Sequence, residues 1–482
     1  MLFNSIDFAI FLPIAFISYW FVTNKNLKLQ NSLIVLASYL FYGWWDWRFL
    51  SLIFFSTVVD YSIGILLSKE ERIFKRKILL WISIGVNLGF LGFFKYYNFF
   101  LDNFITAFSF FGYSINAQGL SIILPVGISF YTFQTLSYTI DVYKRNLHPT
   151  EDFIAFSAFV SFFPQLVAGP IERASNLLPQ FYQKRHFDYS KAVDGMRQIL
   201  WGLFKKIVIA DNCAQYANEM FNNSADYYGS TLVLGAIFFT FQIYGDFSGY
   251  SDIAIGTSRL FGFNLKQNFA FPYFSRDMAE FWRRSHISLS TWFRDYLYIP
   301  LGVSRGGTWM KVRNIFIIFI ISGFWHGANW TFIVWGALNA IYFLPLMITK
   351  NNRNNIDIVA KGKLLPSIKE LSFILLTFGL TVFAWIFFRA ENIEHAVQYI
   401  TSIFKYPGSF LLLNIDWKYK TIIFLISLFL LIEWIGREDQ YAIEKLWLKR
   451  TRIVRWLCYS LIIFTIGMYM QTNESPFIYF QF

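Results

Sequence analysis

Residues 322–330, with the sequence SGFWHGANW, decide the fold class because they place a histidine inside a segment that is otherwise apolar. The surrounding apolar run, residues 314–348, would form one helix of about 50 Å at 1.5 Å per residue, whereas a membrane span needs only about 30 Å. The run therefore predicts a helical hairpin that turns close to His326, where Gly323 and Gly327 allow a tight turn. Irregular backbone at that depth is tolerated only inside protein or along a wet cavity, so we expect His326 to line a cavity.

The composition of the whole chain is that of a membrane protein. Of its 482 residues, 56% are hydrophobic, 22% are aromatic and 15% are charged, whereas charged residues make up roughly 25% of a soluble domain. Apolar runs of about 16–22 residues recur, which is the length of bilayer-spanning helices and not of the short strands of a barrel. The sequence thus predicts an all-α, polytopic integral membrane protein. The first apolar run, from Phe8, has neither a basic region before it nor a small-residue cleavage site, so we expect a span rather than a cleaved signal.

The cations of the sequence cluster in particular loops. The formal net charge is +12, and in a membrane protein such an excess is typical of cytoplasmic loops rather than of nucleic-acid binding. The cation-rich segments 69–77 and 437–455 are therefore predicted to be cytoplasmic, and the N-terminus and the last residues, 473–482, to lie outside. Cys213 and Cys458 form no disulfide or metal-binding pattern, and the spacing of the histidines predicts no metal site.

Residues 155–310 differ from the flanking sequence because proline, glycine and charged residues interrupt the apolar pattern. This pattern predicts re-entrant and interfacial helices within one integral membrane domain, residues 1–482, since no internal repeat divides the sequence. Asp246 and Asp252 would each cost about 2.5–3.5 kcal/mol at the centre of a span. They must therefore be paired, hydrated or functional, and structural pairing is the favoured interpretation.

Residues 281–297 form an amphipathic helix on a helical wheel. Arg283 and Arg294 fall within about 20° of each other, and His286 lies at the edge of the apolar face. Two interpretations remain open: the basic face binds an anionic ligand, or its arginines extend to the membrane surface beside an apolar face. His326 also has two interpretations, because a histidine in a span either acts as a general base or bonds neighbouring helices.

Five motifs together resemble the membrane-bound O-acyltransferase (MBOAT) family. They are PQLVAGPIER (164–173), YGDFSGYSDIAIG (244–256), FWRRSHISLSTWFRDYLYIPLG (281–302), SGFWHGANWTFIVWG (322–336) and the terminal FIYFQF (477–482). The similarity is greatest to the branch of bacterial alginate O-acetyltransferase membrane subunits (AlgI-like), which is related to the teichoic-acid D-alanylation subunit DltB. The resemblance extends from the first apolar run to the last residue.

The resemblance implies a fold and an activity. The fold would be a bundle of about 11 transmembrane helices, with re-entrant and interfacial helices, around a central tunnel, and the catalytic core would be about 155–348. His326 corresponds to the near-invariant histidine of the family and His286 to its second polar position, so both are expected to be catalytic. The activity would be that of an O-acyltransferase, most simply an O-acetyltransferase.

The resemblance also implies substrates, partners and a location. The donor would be acetyl-CoA or another acyl thioester on the cytoplasmic side, used as a substrate without any resident cofactor. The acceptor would be an envelope or exported glycan, reached through an extracytoplasmic acetyltransferase partner of the SGNH type (AlgJ- or AlgX-like). The chain would lie in the lipid bilayer of the bacterial cytoplasmic (inner) membrane.

A donor of this kind carries phosphates, and basic residues near the cytoplasmic face are candidates to bind them. The candidates are Lys205, Lys206, Arg276, Arg283, Arg284 and Arg294. In the expected mechanism His326 deprotonates the attacking hydroxyl, while His286 orients the thioester carbonyl or assists proton transfer. Transfer relayed through a serine of the partner would use the same residues, and a covalent acyl-histidine is the less favoured alternative. Trp325 and Trp330 are expected to wall the cavity around His326.

Two alternatives of other classes remain. A transporter also combines broken helices with buried carboxylates, but many transporters show an internal repeat, which this sequence lacks. A non-catalytic structural subunit of a polysaccharide-modification or export complex would leave the chemistry to a partner. An assay of acyl transfer would separate an enzyme from both alternatives.

Overall fold

The computed structural model describes residues 1–303, 307–406, 408, 417–471 and 477–478. Within these residues the secondary structure is helical, with no strand, as the composition predicts. The chain forms two compact units, and the single integral membrane domain over residues 1–482 stays a prediction. Most of the last residues, 473–482, which are predicted to lie on the outer side of the membrane, are not among the described residues. The same holds for most of the terminal motif FIYFQF. The units are Met1–Ala192 with Ser258–Leu265, and Val193–Thr257 with Lys266–Phe482.

In the first unit, short polar side chains cap the starts of three of the α-helices, among them the first two. The Ser5 hydroxyl accepts from the amide of Phe8, and the Asn26 side chain accepts from the amide of Lys28 at 2.9 Å. Such caps satisfy amides that have no partner inside the helix. The α-helices of this unit are α1 (Ile6–Ile17), α2 (Leu27–Asp46), α3 (Leu50–Lys69), α4 (Ile73–Leu91), α5 (Tyr97–Phe110), α6 (Ile128–Tyr143), α7 (Phe153–Ser161) and α8 (Ala174–Leu177).

The helical run Leu27–Lys69 shows how the sequence divides a long apolar stretch. Its 43 residues would extend about 65 Å as one helix, which is twice the thickness of a bilayer core. The run is interrupted after Asp46, whose carboxylate accepts from the backbone amide of Arg48 at 3.0 Å and from its guanidinium at 2.6 Å. The chain therefore makes two helices, α2 and α3, on either side of a polar turn.

A buried polar cluster joins three helices of this unit. The carboxylate of Asp60 on α3 is fully buried, and it accepts from Ser83 at 2.5 Å and Asn87 at 2.9 Å on α4 and from Thr139 at 3.0 Å on α6. A carboxyl group in such an apolar setting is stable only when its oxygens are hydrogen-bonded. The cluster thus fixes the relative positions of α3, α4 and α6.

Seven helical runs in the described part of the chain are long and apolar enough to cross a membrane. This supports the polytopic membrane protein that the composition predicts. Because one of these runs contains both α2 and α3, the number of runs is not the number of crossings, and the total of about 11 stays a prediction.

Interrupted helices and one hairpin form the second unit. The hairpin is the one predicted for residues 314–348: one helix ends at His326, the turn is 327–329, and the next begins at Trp330. The α-helices that lie in this unit or run into it are α9 (Tyr189–Leu203), α10 (Asp211–Asn222), α11 (Gly229–Leu260), α12 (Met278–Arg284), α13 (Ile287–Phe293), α14 (Gly307–His326), α15 (Trp330–Ile348), α16 (Ile368–Arg389), α17 (Ile393–Lys405), α18 (Trp417–Ile435) and α19 (Arg452–Tyr469).

The hairpin helices α14 and α15 touch through glycines. A Cβ on Gly323 would lie 2.1 Å from the carbonyl oxygen of Phe332, and a Cβ on Gly336 would lie 2.3 Å from that of Phe319. The predicted role of Gly323 in the turn is therefore wrong, because this glycine lies within α14 and allows the two backbones to approach. Gly327 does lie in the turn, where a Cβ would meet the ring of Phe332 at 2.0 Å.

The predicted amphipathic helix at 281–297 is also wrong. The chain leaves the helix after Arg284 and enters α13 only at Ile287, because His286 adopts a left-handed backbone with φ of 44°. A π-helical turn, Arg294–Tyr298, then follows α13. Arg283 and Arg294 therefore belong to different elements and do not share one basic face.

Candidate active site

The two predicted catalytic histidines line the same small cavity. His326 ends α14, His286 occupies the break between α12 and α13, and their ring centroids are 6.4 Å apart. Both side chains are buried, at 3% and 4% exposure. The cavity, called the histidine cavity below, has a volume of about 30 Å³ and is also lined by Tyr244, Trp282 and Trp335. That volume has room for about one or two water molecules.

Aromatic rings surround His326 on several sides. Its ring centroid lies 5.0 Å from that of Trp325, 5.2 Å from that of Trp335 and 5.3 Å from that of Phe388. Neither of the two predicted wall residues lines the cavity, so that prediction is wrong: Trp325 packs against His326 without reaching the cavity, and Trp330 is half exposed at the start of α15. Trp335, one and a half turns further along α15, takes that place.

Asn268 holds His286 in one tautomer. The Oδ1 atom of Asn268 accepts from the backbone amide of Ser288 at 3.2 Å and from its hydroxyl at 2.8 Å, which fixes the orientation of the Asn268 amide. The same Oδ1 atom lies 3.3 Å from Nδ1 of His286. Because Oδ1 can only accept, Nδ1 of His286 carries the proton, and Nε2 of the neutral ring has a lone pair.

Burial keeps His286 neutral. It lies outside the seven candidate spans, and desolvation lowers its pKa from 6.5 to about 3. A neutral ring with its proton on Nδ1 can accept a proton at Nε2 but cannot donate one there to a carbonyl. Of the two expected roles of His286, the geometry is compatible with proton transfer and not with orienting a carbonyl through Nε2.

Replacing Asn268 with alanine should lower kcat about tenfold and change KM for the acyl donor little. The expected loss corresponds to one hydrogen bond of about 1.4 kcal/mol that holds His286 in its working tautomer. Steady-state kinetics of acyl transfer would test this, and the ¹⁵N resonances of labelled histidine would report the tautomer. An unchanged kcat with a changed His286 tautomer would contradict a functional role for the tautomer.

Three of the predicted donor-binding arginines donate hydrogen bonds to backbone carbonyls of the loop after α15. Arg276 and Arg284 both bind the buried carboxylate of Glu280, at 3.0 Å and 2.9 Å, and Arg283 donates to the backbone carbonyls of Asn352 and Asn355. These guanidinium groups have protein partners at hydrogen-bond distance. The structure therefore assigns them to the loop and not to an open anion site.

The predicted donor-binding lysines are buried in an ion-pair network. Lys205 binds Asp252 at 2.8 Å and Glu433 at 3.3 Å. Lys206 binds Asp211 at 2.9 Å and Asp246 at 2.8 Å. The predicted pairing of the carboxylates at 246 and 252 is thus confirmed, and the lysines that neutralise them are the two assigned to the donor. Both ammonium groups are buried, so donor binding by them is not supported.

A second, larger cavity lies beside the histidine cavity. It has a volume of about 480 Å³, and α13, α14, α15 and the loop after α15 line it. Its walls are mostly apolar. Four cations line it. Arg294 is among the predicted donor-binding residues, whereas Lys311, Lys350 and Arg353 are not. The sequence held a signal for them, because cations flank both ends of the run 314–348, and an antiparallel hairpin brings those ends together.

No group of three or more histidine, cysteine or carboxylate side chains among the described residues could hold a metal ion. The histidine cavity brings together two imidazoles and several aromatic side chains. Buried histidines can take part in general acid–base catalysis, and a cation-lined cavity can bind a substrate with an anionic part.

Comparison with known proteins gives the family. The MBOAT, membrane-bound O-acyltransferase family, profile matches residues 147–384. The probable alginate O-acetylase AlgI of Pseudomonas putida is 36% identical over 503 residues, covering 100% of both chains. The peptidoglycan O-acetyltransferase of Helicobacter pylori is 36% identical, covering 83% of this chain and 79% of the relative. The teichoic acid D-alanyltransferase of Streptococcus thermophilus is 30% identical over 45% of this chain and 55% of the relative.

The chain belongs to the membrane-bound O-acyltransferase family. It is a multi-pass membrane protein and an O-acyltransferase. Family membership therefore decides against the two alternatives, a transporter and a non-catalytic structural subunit. The predicted resemblance is confirmed.

Proposed function

We propose that this protein transfers an acetyl group from a cytoplasmic thioester to a hydroxyl group of an envelope or exported glycan, by way of an extracytoplasmic partner protein. The observation that carries the proposal is the placement of His286 and His326 in one buried cavity. The names of the relatives support acetyl as the acyl group, because two of the three are named as a probable O-acetylase and an O-acetyltransferase. Their acceptors, alginate and peptidoglycan, support a glycan.

The reaction that these residues support is a direct displacement at a carbonyl carbon. His326 takes the proton of the acceptor hydroxyl as its oxygen forms a C–O bond with the thioester carbonyl carbon. The tetrahedral intermediate then collapses, the C–S bond breaks, and the departing thiolate takes the proton. The products are an O-acetyl ester and a free thiol, so no oxidant or further reactant is needed. General acid–base catalysis of this kind contributes about 10²–10⁴-fold to a rate.

The large cavity supports binding of the donor. Its apolar walls suit an uncharged thioester arm, and its cations suit the phosphates of coenzyme A or of a carrier-protein prosthetic group. Arg294, Lys350 and Arg353 are exposed, while Ser322 at the other end of the lining is buried. The donor would therefore place its charged part at the exposed end and its acyl group toward the histidines.

The acceptor side and the location complete the proposal. The acceptor would reach the histidines through a tunnel from the side of the membrane opposite to the donor, carried by an extracytoplasmic SGNH-type acetyltransferase partner. The basic loops 69–77 and 437–455 would face the cytoplasm of a bacterium, and the protein would lie in the inner membrane. Burial of the reaction also keeps water away from the thioester.

Purified protein in liposomes provides the direct test. Acetyl-CoA labelled in the acetyl group would be added with the extracytoplasmic partner and an oligosaccharide acceptor, and both released thiol and labelled ester would be measured. We expect equal amounts of the two products. Failure of the wild-type protein to transfer label from acetyl-CoA or an acetylated carrier protein, above the level of a His326→Gln variant, would overturn the proposal.

Charge reversal in the large cavity should raise KM for the donor about tenfold or more while leaving kcat nearly unchanged. Lys311→Glu with Arg353→Glu removes two cations from the cavity, and loss of ground-state binding has this kinetic pattern. The matched control is Lys445→Glu with Lys449→Glu, which makes the same change in net charge away from the cavity. Equal donor KM values in the two double variants would show that the cavity does not bind the anionic part.

A further inference from the structure

Trp282 lies between the two cavities of the second unit. It is the one residue that lines both the histidine cavity and the large cavity in the described part of the chain. Its ring centroid is 5.7 Å from that of Trp335 on the histidine side and 5.6 Å from that of Phe319 on the other side. Any group that passes from the large cavity to the histidines must therefore pass this indole.

The indole N–H of Trp282 is buried and has no hydrogen-bond acceptor among the described residues. Buried N–H groups of native proteins nearly always have a partner, and an exception calls for an explanation. An indole nitrogen can only donate, so the missing partner is an acceptor. A carbonyl oxygen of a bound substrate is an acceptor of the right kind.

In its resting state, His286 does not supply a hydrogen-bond donor for such a carbonyl oxygen. Nδ1–H of His286 donates to Asn268, and its Nε2 atom has a lone pair. A thioester carbonyl that arrives beside His286 must therefore find its hydrogen-bond donor on another side chain of the cavity. Trp282 already lines the route of the acyl group.

We propose that the indole N–H of Trp282 donates a hydrogen bond to the carbonyl oxygen of the acyl thioester as the acyl group reaches the histidine cavity. This inference rests on the proposed function. As the acceptor oxygen adds to the carbonyl carbon, the C=O π electrons move onto the carbonyl oxygen, and the N–H stabilises the resulting negative charge. When the C–S bond breaks, the carbonyl re-forms and the hydrogen bond weakens.

The geometry favours Trp282 for this role because its ring position is fixed. The indole packs edge-on against the rings of Phe281 at 5.3 Å, Phe319 at 5.6 Å and Trp335 at 5.7 Å. A hydrogen-bond donor that is held in place before the reaction needs no reorganisation during it. In hydrolases, the loss of one hydrogen-bond donor of the oxyanion hole lowers kcat by about 10²–10³-fold.

The test removes the N–H and keeps the ring. Incorporation of benzothienylalanine at position 282 replaces the N–H with sulfur at nearly the same shape, and Trp282→Phe is the simpler second variant. We expect each to lower kcat for acetyl transfer by about 10²-fold, with KM for acetyl-CoA changed less than threefold. The matched control is Trp309→Phe, because Trp309 is 75% exposed near the start of α14, away from the histidines; it should keep wild-type kinetics.

The outcomes separate this inference from the proposed function. A wild-type protein without any acyl transfer would overturn the proposed function. An active wild type whose folded benzothienylalanine variant keeps the wild-type kcat would overturn the role of Trp282 and leave the proposed function standing. If Trp282→Phe does not fold, the benzothienylalanine variant, which preserves the packing of the ring, still decides. A rise in KM without a fall in kcat would also overturn it, because it would assign Trp282 to donor binding alone.

Discussion

Replacement of His326 by glutamine is expected to lower the rate of acyl transfer by about 10²-fold or more while the protein stays folded and inserted. Glutamine nearly matches the volume of histidine and cannot act as a base at neutral pH. The measurement is the initial rate of thiol release and ester formation at matched amounts of protein that elutes as a single species in size exclusion.

Glutamine is a better test than alanine because His326 is packed on several sides. Three aromatic rings lie within 5.0–5.3 Å of its ring centroid. Truncation would leave a cavity, and cavities in well-packed regions destabilise a protein, so an alanine variant would confuse loss of chemistry with loss of fold. His395→Gln is the control, since Nε2–H of His395 donates to the backbone carbonyl oxygen of Phe221 at 3.0 Å, outside the two cavities. Near-wild-type turnover in His326→Gln would refute its role as the base.

Replacing Lys205 with methionine should prevent accumulation of folded protein. The ammonium group is shared by the buried carboxylates of Asp252 and Glu433. Removal of one partner from a buried ion pair costs about 3–5 kcal/mol, because the other charge remains buried without compensation. The measurement is the yield of monodisperse protein and its thermal midpoint in detergent, compared with Lys445→Met, whose side chain is 63% exposed.

A triple variant distinguishes this structural role from donor binding. Lys205→Met combined with Asp252→Asn and Glu433→Gln removes all three charges at once and should recover much of the folded yield. Donor binding by Lys205 would instead give a folded single variant with a raised KM for acetyl-CoA. Normal yield and stability of Lys205→Met would therefore contradict the network as a determinant of the fold.

Sequence reasoning succeeded where one physical constraint acted on one segment. The apolar run at 314–348 is too long for one span, so the hairpin follows from its length, and the cost of a buried carboxylate predicts that Asp246 and Asp252 are paired. The identity of their partners did not follow, because the pairs join elements that are distant in sequence. Lys205 and Lys206 looked like surface cations for the same reason.

Other failures have local causes. The helical wheel at 281–297 assumes a continuous helix, and no glycine or proline marks the left-handed backbone of His286 that interrupts it. Trp330 stands close to His326 in sequence, but the turn at 327–329 directs it outward. Trp282 was missed because its importance arises from two cavities that only the folded chain creates.

The close contact of α14 and α15 through their glycines has a consequence for which donors can work. Lys311 and His326 lie on one helix whose neighbour cannot slide without collision of the backbones. At 1.5 Å per residue, the helix sets a separation of about 22 Å between the cation and the imidazole. Under the proposed function, an acetyl donor with a long arm between its charge and its acyl group would span this distance, whereas a small molecule such as acetyl phosphate, with its charge next to its acyl group, would reach one end only.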